Sequence, residues 1–287
     1  MKKSAGYRVF YIFNIIFFAL VSLSVIIPFA NVLCLSLEPN YIAIETGVLH
    51  LIPRNITLEA YKYVLRDNLF TRAFLNSVVI TAAGAIGGVI VTAMLGYSLT
   101  FENVKGHKIV SFLVLFTMMF NGGIIPTYIL VKKLGLLDTL WSLFIPVLIS
   151  GYNVILMRSF FQSIPVSLAE SAFLDGASEV SVFFRIIVPL SKPIFATITL
   201  FYAVSRWNDF FNGIMFITTL SKKPLQVLLR EILLQASADA DSGPDTVYIG
   251  VNVKMAIVFI TIIPTMLFYP FLQKYFTKGI MLGAVKG

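Results

Sequence analysis

From Tyr11 to Leu33 the chain runs for 23 residues without one charged side chain. An α-helix of about 20 apolar residues crosses the hydrocarbon layer of a bilayer, so this run is long enough to span. Five more runs follow at Ser77–Leu99, Ile109–Ile129, Leu140–Met157, Ile194–Thr218 and Met255–Phe276. In lipid each backbone N–H and C=O must be satisfied within the spanning element, which favours helices here. The expected fold is therefore all-α, a polytopic membrane protein with six transmembrane helices. Composition agrees. The 287 residues are 58% hydrophobic and 13% charged, about half the charged share of a soluble domain. A single soluble core is excluded.

The first run extends over Val9–Leu37, too long for the apolar stretch of a secretory signal, and no Ala-x-Ala site follows it. It is read as an uncleaved first span. The third run is interrupted by Asn121-Gly122-Gly123 and Pro126. Its helix is expected to end near Phe120, with a kinked or re-entrant continuation. The second carries Gly84, Gly88, Thr92 and Gly96 at four-residue spacing, a small-residue stripe that lets another helix approach closely.

The formal net charge is +8. The bases are scattered between apolar runs, which fits orientation in an anionic membrane better than nucleic acid. With the N-terminus inside, eleven Lys and Arg residues fall on the cytoplasmic side and nine outside, a modest bias in favour of that orientation. Cys34 is the lone cysteine, so no internal disulfide is possible.

The most polar island in the second half is Ile164–Pro193. Ser167 followed by Glu170 reads as a capping box just after Pro165, opening a short helix. Gly176 can leave that helix through a left-handed turn. Ser178 can cap a second helix running through Phe183 and Phe184 toward Pro189. Two short helices hinged at a glycine form an elbow suited to docking on another protein. An ordinary amphipathic loop is the plainer alternative.

Glu170-Ser171-Ala172, Asp175-Gly176-Ala177, Phe183 and Pro189-Leu190 resemble the EAA loop of the membrane-spanning subunits of bacterial ABC importers. Ser171 departs from the family's second alanine, one small residue for another. The passage from Pro126 to Trp141 and the stretch Arg158–Pro165 resemble the family's sugar-importing branch. The tail from Thr277 resembles the maltose-importer subunit. The likeness covers the chain from about Thr57 onward. It implies a permease subunit of an oligosaccharide importer, with a second related permease, two ATP-binding subunits and an extracellular solute-binding protein as partners. It also implies a cytoplasmic elbow, both termini cytoplasmic, and contacts to the ATPase through Glu170, Ala172, Asp175, Gly176, Ala177, Phe183, Val285 and Lys286. The matching organisation is a cytoplasmic N-terminus at 1–8, a first span at 9–35 and an extracellular segment at 36–72. A permease core follows at 73–276, containing the loop at 158–193, and then a cytoplasmic tail at 277–287. An importer of a non-sugar solute, or an ion-coupled secondary transporter, is the alternative.

Arg206-Trp207-Asn208-Asp209 lies in the fifth run. Charges at membrane depth cost about 2.5–3.5 kcal/mol each on insertion scales, so they face a cavity or a partner. Arg206 and Asp209 are three apart and can pair. Trp207 could stack on a sugar and Asn208 could bond hydroxyls, making these four a candidate translocation path. Polar glue between helices is the competing reading. In the outer segment, Thr57, Glu59 and Ala60 open an amphipathic helix with Tyr61, Val64 and Leu65 on one face, either lying on the membrane or, by the resemblance, serving the outer gate and the docking of the solute-binding protein. Asp239, Asp241 and Asp245 lack the remaining ligands of a calcium loop and read as solvated. His50 and His107 have no visible carboxylate partner. No Gly-x-x-x-x-Gly-Lys-Ser/Thr segment occurs, so nucleotide is not held by a P-loop here. No cofactor, metal or catalytic group is expected, and the energy must come from a partner.

Overall fold

A computed structural model describes residues 5–44, 49–238 and 249–283. Among these residues every regular element is helical. In chain order they are α1 (Ala5–Leu37), α2 (Asn40–Ala43), α3 (Glu59–Arg66), α4 (Asn68–Ser98), α5 (His107–Met119), α6 (Ile124–Lys133), 3₁₀ turns at Leu140–Leu143 and Ile145–Val147, and α7 (Gly151–Gln162). Then come α8 (Val166–Leu174), α9 (Glu179–Val182), a π-turn (Phe183–Ile187), α10 (Val188–Leu190), α11 (Lys192–Trp207), α12 (Phe211–Phe216), a 3₁₀ turn at Leu220–Lys222, α13 (Leu225–Ala238) and α14 (Val251–Gly283).

The expected spans differ in continuity. Val9–Leu37, Asn68–Ser98 and Val251–Phe268 are unbroken and apolar enough to cross a membrane. α4 starts nine residues before the expected Ser77, because Asp67 accepts the Leu69 N–H at 2.7 Å and starts the helix early. The third run breaks where expected. α5 stops at Met119, Phe120 is extended and Gly123 takes φ 86° before α6 begins. At 1.5 Å per residue, α5 is about 20 Å long and falls short of the bilayer alone.

Two runs expected as continuous are not. Leu140–Met157 is two 3₁₀ turns around Pro146, joined to α7 at a 53° bend. Ser150 caps α7, its hydroxyl accepting from the Asn153 N–H at 3.5 Å. Ile194–Thr218 ends as a helix at Trp207. Asp209 breaks it by taking the Asn212 backbone N–H at 3.2 Å, a short polar side chain competing with the helix ladder. The chain bends by 82° between Glu179–Leu190 and Lys192–Trp207. The stretch after Ser221 contains α13, whose Leu225, Val227 and Leu228 are buried. The Leu225 N–H donates to Ser77 Oγ at 2.8 Å.

The chain divides into two compact units. The first comprises Met1–Thr71 and Leu229–Ile263. In it α3 turns Ala60 and Val64 inward, each 1% exposed, while Leu65 stays in the open rather than sharing the buried face. Ser36 and Tyr61 hydroxyls meet at 2.6 Å. Burial raises the Tyr61 hydroxyl above its ordinary pKa, an effect the Ser36 bond opposes. His50 has a carboxylate partner after all. Its Nδ1 lies 2.6 Å from Glu38 Oε2, with both side chains buried, and Glu38 Oε1 accepts from the Arg54 N–H at 2.8 Å. The eleven intervening residues hid this pair from the sequence.

The second unit comprises Arg72–Leu228 and Pro264–Gly287. Its core gathers Ala85, Val89 and Ala93 from α4, Met157 and Phe161 from α7, and Ile194, Ile198, Tyr202 and Ala203 from α11, with Val182, Phe183 and Ile187. The glycine stripe permits this packing. A Cβ on Gly88 would stand 3.0 Å from the Tyr202 ring, and one on Gly84 2.8 Å from Arg206 Cγ. Asp138 ties the turn after α6 to the α12–α13 connection. It accepts from Thr219 Oγ1 at 2.6 Å, from the Thr219 and Thr218 N–H groups, and from Lys222 Nζ at 2.9 Å. Led by the Thr219 bonds, these hold its carboxyl well below the usual carboxylate range.

Candidate functional site: the elbow and the cavity

The elbow forms as expected, with one change at its start. α8 begins at Val166 with Pro165 before it, and no side chain caps it. Ser167 sits inside the first turn, so the capping box is not made. The exit is a Schellman turn. Gly176 adopts φ 82°, the Ala177 N–H donates to Ala172 O at 2.9 Å, and the Gly176 N–H donates to Phe173 O at 3.0 Å. Ser178 then caps α9, its hydroxyl accepting from the Ser181 N–H at 3.3 Å.

Exposure divides the elbow into a root and a crown. Glu170, Asp175 and Gly176 are exposed, while Ala172 and Ala177 are half-buried. Leu174 is 89% exposed, a bare apolar side chain at the tip. Phe183, expected among the outward contacts, instead points inward and is buried. Its ring packs against Tyr97 of α4 at 4.8 Å, Phe161 of α7 at 6.3 Å and Phe184 at 5.0 Å. It sits on the π-turn Phe183–Ile187, which inserts an extra residue between elbow and span. Val285 and Lys286 lie outside the described residues.

A cavity of about 1330 Å³ opens between α5, α7 and α11. Its polar wall includes Asn121, Ser150, Asn153, Tyr202, Ser205 and Arg206. Tyr202 is the hub. Its hydroxyl meets Thr92 Oγ1 at 2.8 Å and accepts from the Ser150 N–H at 3.0 Å. Of the four residues expected to line a path, only Arg206 does. Trp207 is 2% exposed, edge-on to Phe74 at 5.8 Å, so it cannot stack on a ligand. Asn208 is exposed away from the cavity and donates to Val204 O at 3.0 Å. Asp209 pairs with Arg206 at 3.4 Å, as the three-residue spacing predicts, and accepts from Asn212 Nδ2 at 2.7 Å. Sequence reasoning missed Tyr202, Ser205, Ser150 and Asn153. One signal was present: Tyr202 and Ser205 precede Arg206 by one helical turn and by one residue, on the same helix. No group of three or more metal-ligating side chains is found among the described residues.

Spanning helices broken around a cavity, an exposed elbow rooted in their core and no nucleotide-binding loop define a polytopic membrane permease subunit. The comparisons give the family. Residues 88–282 match the model of the binding-protein-dependent transport system inner membrane component, and the chain belongs to that family, the membrane subunits of ABC importers, which are not themselves enzymes. It is 41% identical to Protein LplC of Bacillus subtilis, over all of this chain and 98% of that one. It is 38% identical to the polygalacturonan/rhamnogalacturonan transport system permease protein YtcP of the same organism, over 94% and 96% of the two chains. Among solved structures it superposes, with TM-score 0.87 and 32% identity over 96% of this chain and 99% of the other, on a chain of a bacterial ABC transporter involved in the import of the acidic polysaccharide alginate.

Proposed function

We propose that this subunit imports oligosaccharides by alternating access, in a complex with a second related permease, two ATP-binding subunits and an extracellular solute-binding protein. The relatives named for polygalacturonan and alginate support a carbohydrate cargo. The elbow faces the cytoplasm in this reading, with both termini on that side, in keeping with the bias of basic residues. ATP favours the closed ATPase pair, and the elbow carries that preference into the spans as a shift of population.

One observation carries the coupling role. The elbow exposes Leu174 at its tip and buries Phe183 at its root, the arrangement of a lever gripped at one end. Glu170, Asp175 and Gly176 would meet the ATPase directly, with Ala172 and Ala177 beneath them. Phe183 would act from inside, and Val285 and Lys286 would add a second contact from the tail. The test is co-expression with the neighbouring transporter genes and reconstitution. An ATP-hydrolysing subunit should co-purify, and Gly176→Pro should abolish ATP-driven uptake. Uptake at the wild-type rate in that variant would refute the coupling role.

A further inference from the structure

We infer that Arg206 is an anion-reading residue of the translocation cavity, and that the cargo it favours is an oligosaccharide bearing carboxylates, such as a chain of uronic acid units. This deepens the importer reading above and rests on it.

The argument starts from charge. Among the described residues that line the cavity, Arg206 alone is charged; the rest are apolar or carry neutral amides and hydroxyls. Its counter-ion, Asp209, does not reach that wall, so the pair presents its positive end to the cavity. The pairing is also loose. Arg206 Nη1 is 3.4 Å from Asp209 Oδ2 and 3.2 Å from Leu143 O, and Nη2 is 3.1 Å from Ser205 Oγ. The buried Nε–H has no acceptor among the described residues. The planar guanidinium, suited to gripping a carboxylate with two parallel bonds, is thus held at its Nη groups by long contacts that a cargo carboxylate could replace. Asp209 meanwhile draws its shortest bond from Asn212, and can yield the long contact without losing its own partner.

The side chain is also placed with care. Its surface is only 10% exposed, and its stem passes over Gly84, where a Cβ would come within 2.8 Å. A cation used only to glue helices would be served by a saturated ion pair turned from the cavity. This one is the lone charge on the cavity's lining among the described residues, and its ion pair is long, at 3.4 Å.

The experiment uses the whole transporter in proteoliposomes with its binding protein, and two probes, trigalacturonate and the same trisaccharide with its carboxyls reduced to alcohols. The wild type should take up trigalacturonate faster. Arg206→Gln should slow that uptake at least about ten-fold per assembled complex, the scale of one lost charge-assisted contact, and Arg206→Lys should restore it to within about three-fold. Asp209→Asn, which unmasks the guanidinium, should lower the KM for trigalacturonate. Equal trigalacturonate uptake by wild type and Arg206→Gln, a loss that lysine does not restore, or an unchanged or raised KM in Asp209→Asn would overturn the inference. Import of the reduced probe alone would overturn it and leave the importer reading standing. Import of neither would remove both.

Discussion

The stretch Val166–Leu190 puts apolar side chains into the open within a polar part of the sequence, whereas the cavity wall hides a guanidinium among apolar helices. In the elbow, geometry is set by neighbours in sequence: a glycine at φ 82°, two backbone bonds closing the Schellman turn, and a serine cap two residues on. In the wall it is set by partners far along the chain. Tyr202 binds Thr92 from 110 residues away, and Arg206 binds Leu143 from 63. Local rules build a part that protrudes and meets another protein; long-range packing builds a part that closes around a ligand. Changes in the elbow should therefore cost coupling while sparing the fold, and changes in the wall should cost both.

The largest expected effect is at the hinge. Proline fixes φ near −65° and cannot follow Gly176 to +82°, and it removes the N–H given to Phe173. Gly176→Pro should remove coupled uptake while assembled complex survives. Gly176→Ala sharpens the point. No neighbour lies within 4 Å of the added Cβ, so only the left-handed backbone opposes it, at about 1–2 kcal/mol, and uptake should fall without vanishing.

In the wall, Tyr202→Phe removes a hydroxyl shared by Thr92 and the Ser150 N–H. Stranding those partners costs about 1–3 kcal/mol, read as earlier thermal unfolding together with weaker uptake. If stability is untouched, Tyr202 belongs to the cargo and not to the frame.

Asp138 supplies a pH test away from both regions. Its folded pKa is depressed, so the stability it contributes is complete above its unfolded pKa, about 3.9, and is lost as pH falls toward the folded value. Wild type should exceed Asp138→Asn in stability at pH 7, and the gap should narrow below about pH 4. A gap independent of pH would contradict the hydrogen-bond account.

Ser178→Ala should have the smallest effect, about 1 kcal/mol of local helix stability, visible as faster amide exchange in α9 with little change in uptake.

The same contrast explains what the sequence could reveal. Apolar runs, the Asn-Gly-Gly interruption, Gly176 and the Ser178 cap act within a few residues, and each was readable. The glycine stripe was readable as a packing face, though its partners Tyr202, Arg206 and Met157 were not. Helix continuity failed at Asp209, where one local hydrogen bond outcompetes apolar length. Trp207 failed because an aromatic beside charges looks like a ligand platform until Phe74 is seen against its ring. His50 and Glu38 pair through a fold-back that no periodicity announces.

The most direct test of the account is a cross-link from the elbow tip. With Cys34→Ser removing the only cysteine, Leu174→Cys gives a single thiol at an 89% exposed position. A short thiol cross-linker should join it to a co-purifying ATP-hydrolysing subunit, in an amount that changes on adding ATP. Labelling of that thiol by a membrane-impermeant reagent from outside intact cells, with no adduct to any nucleotide-binding protein, would contradict the account.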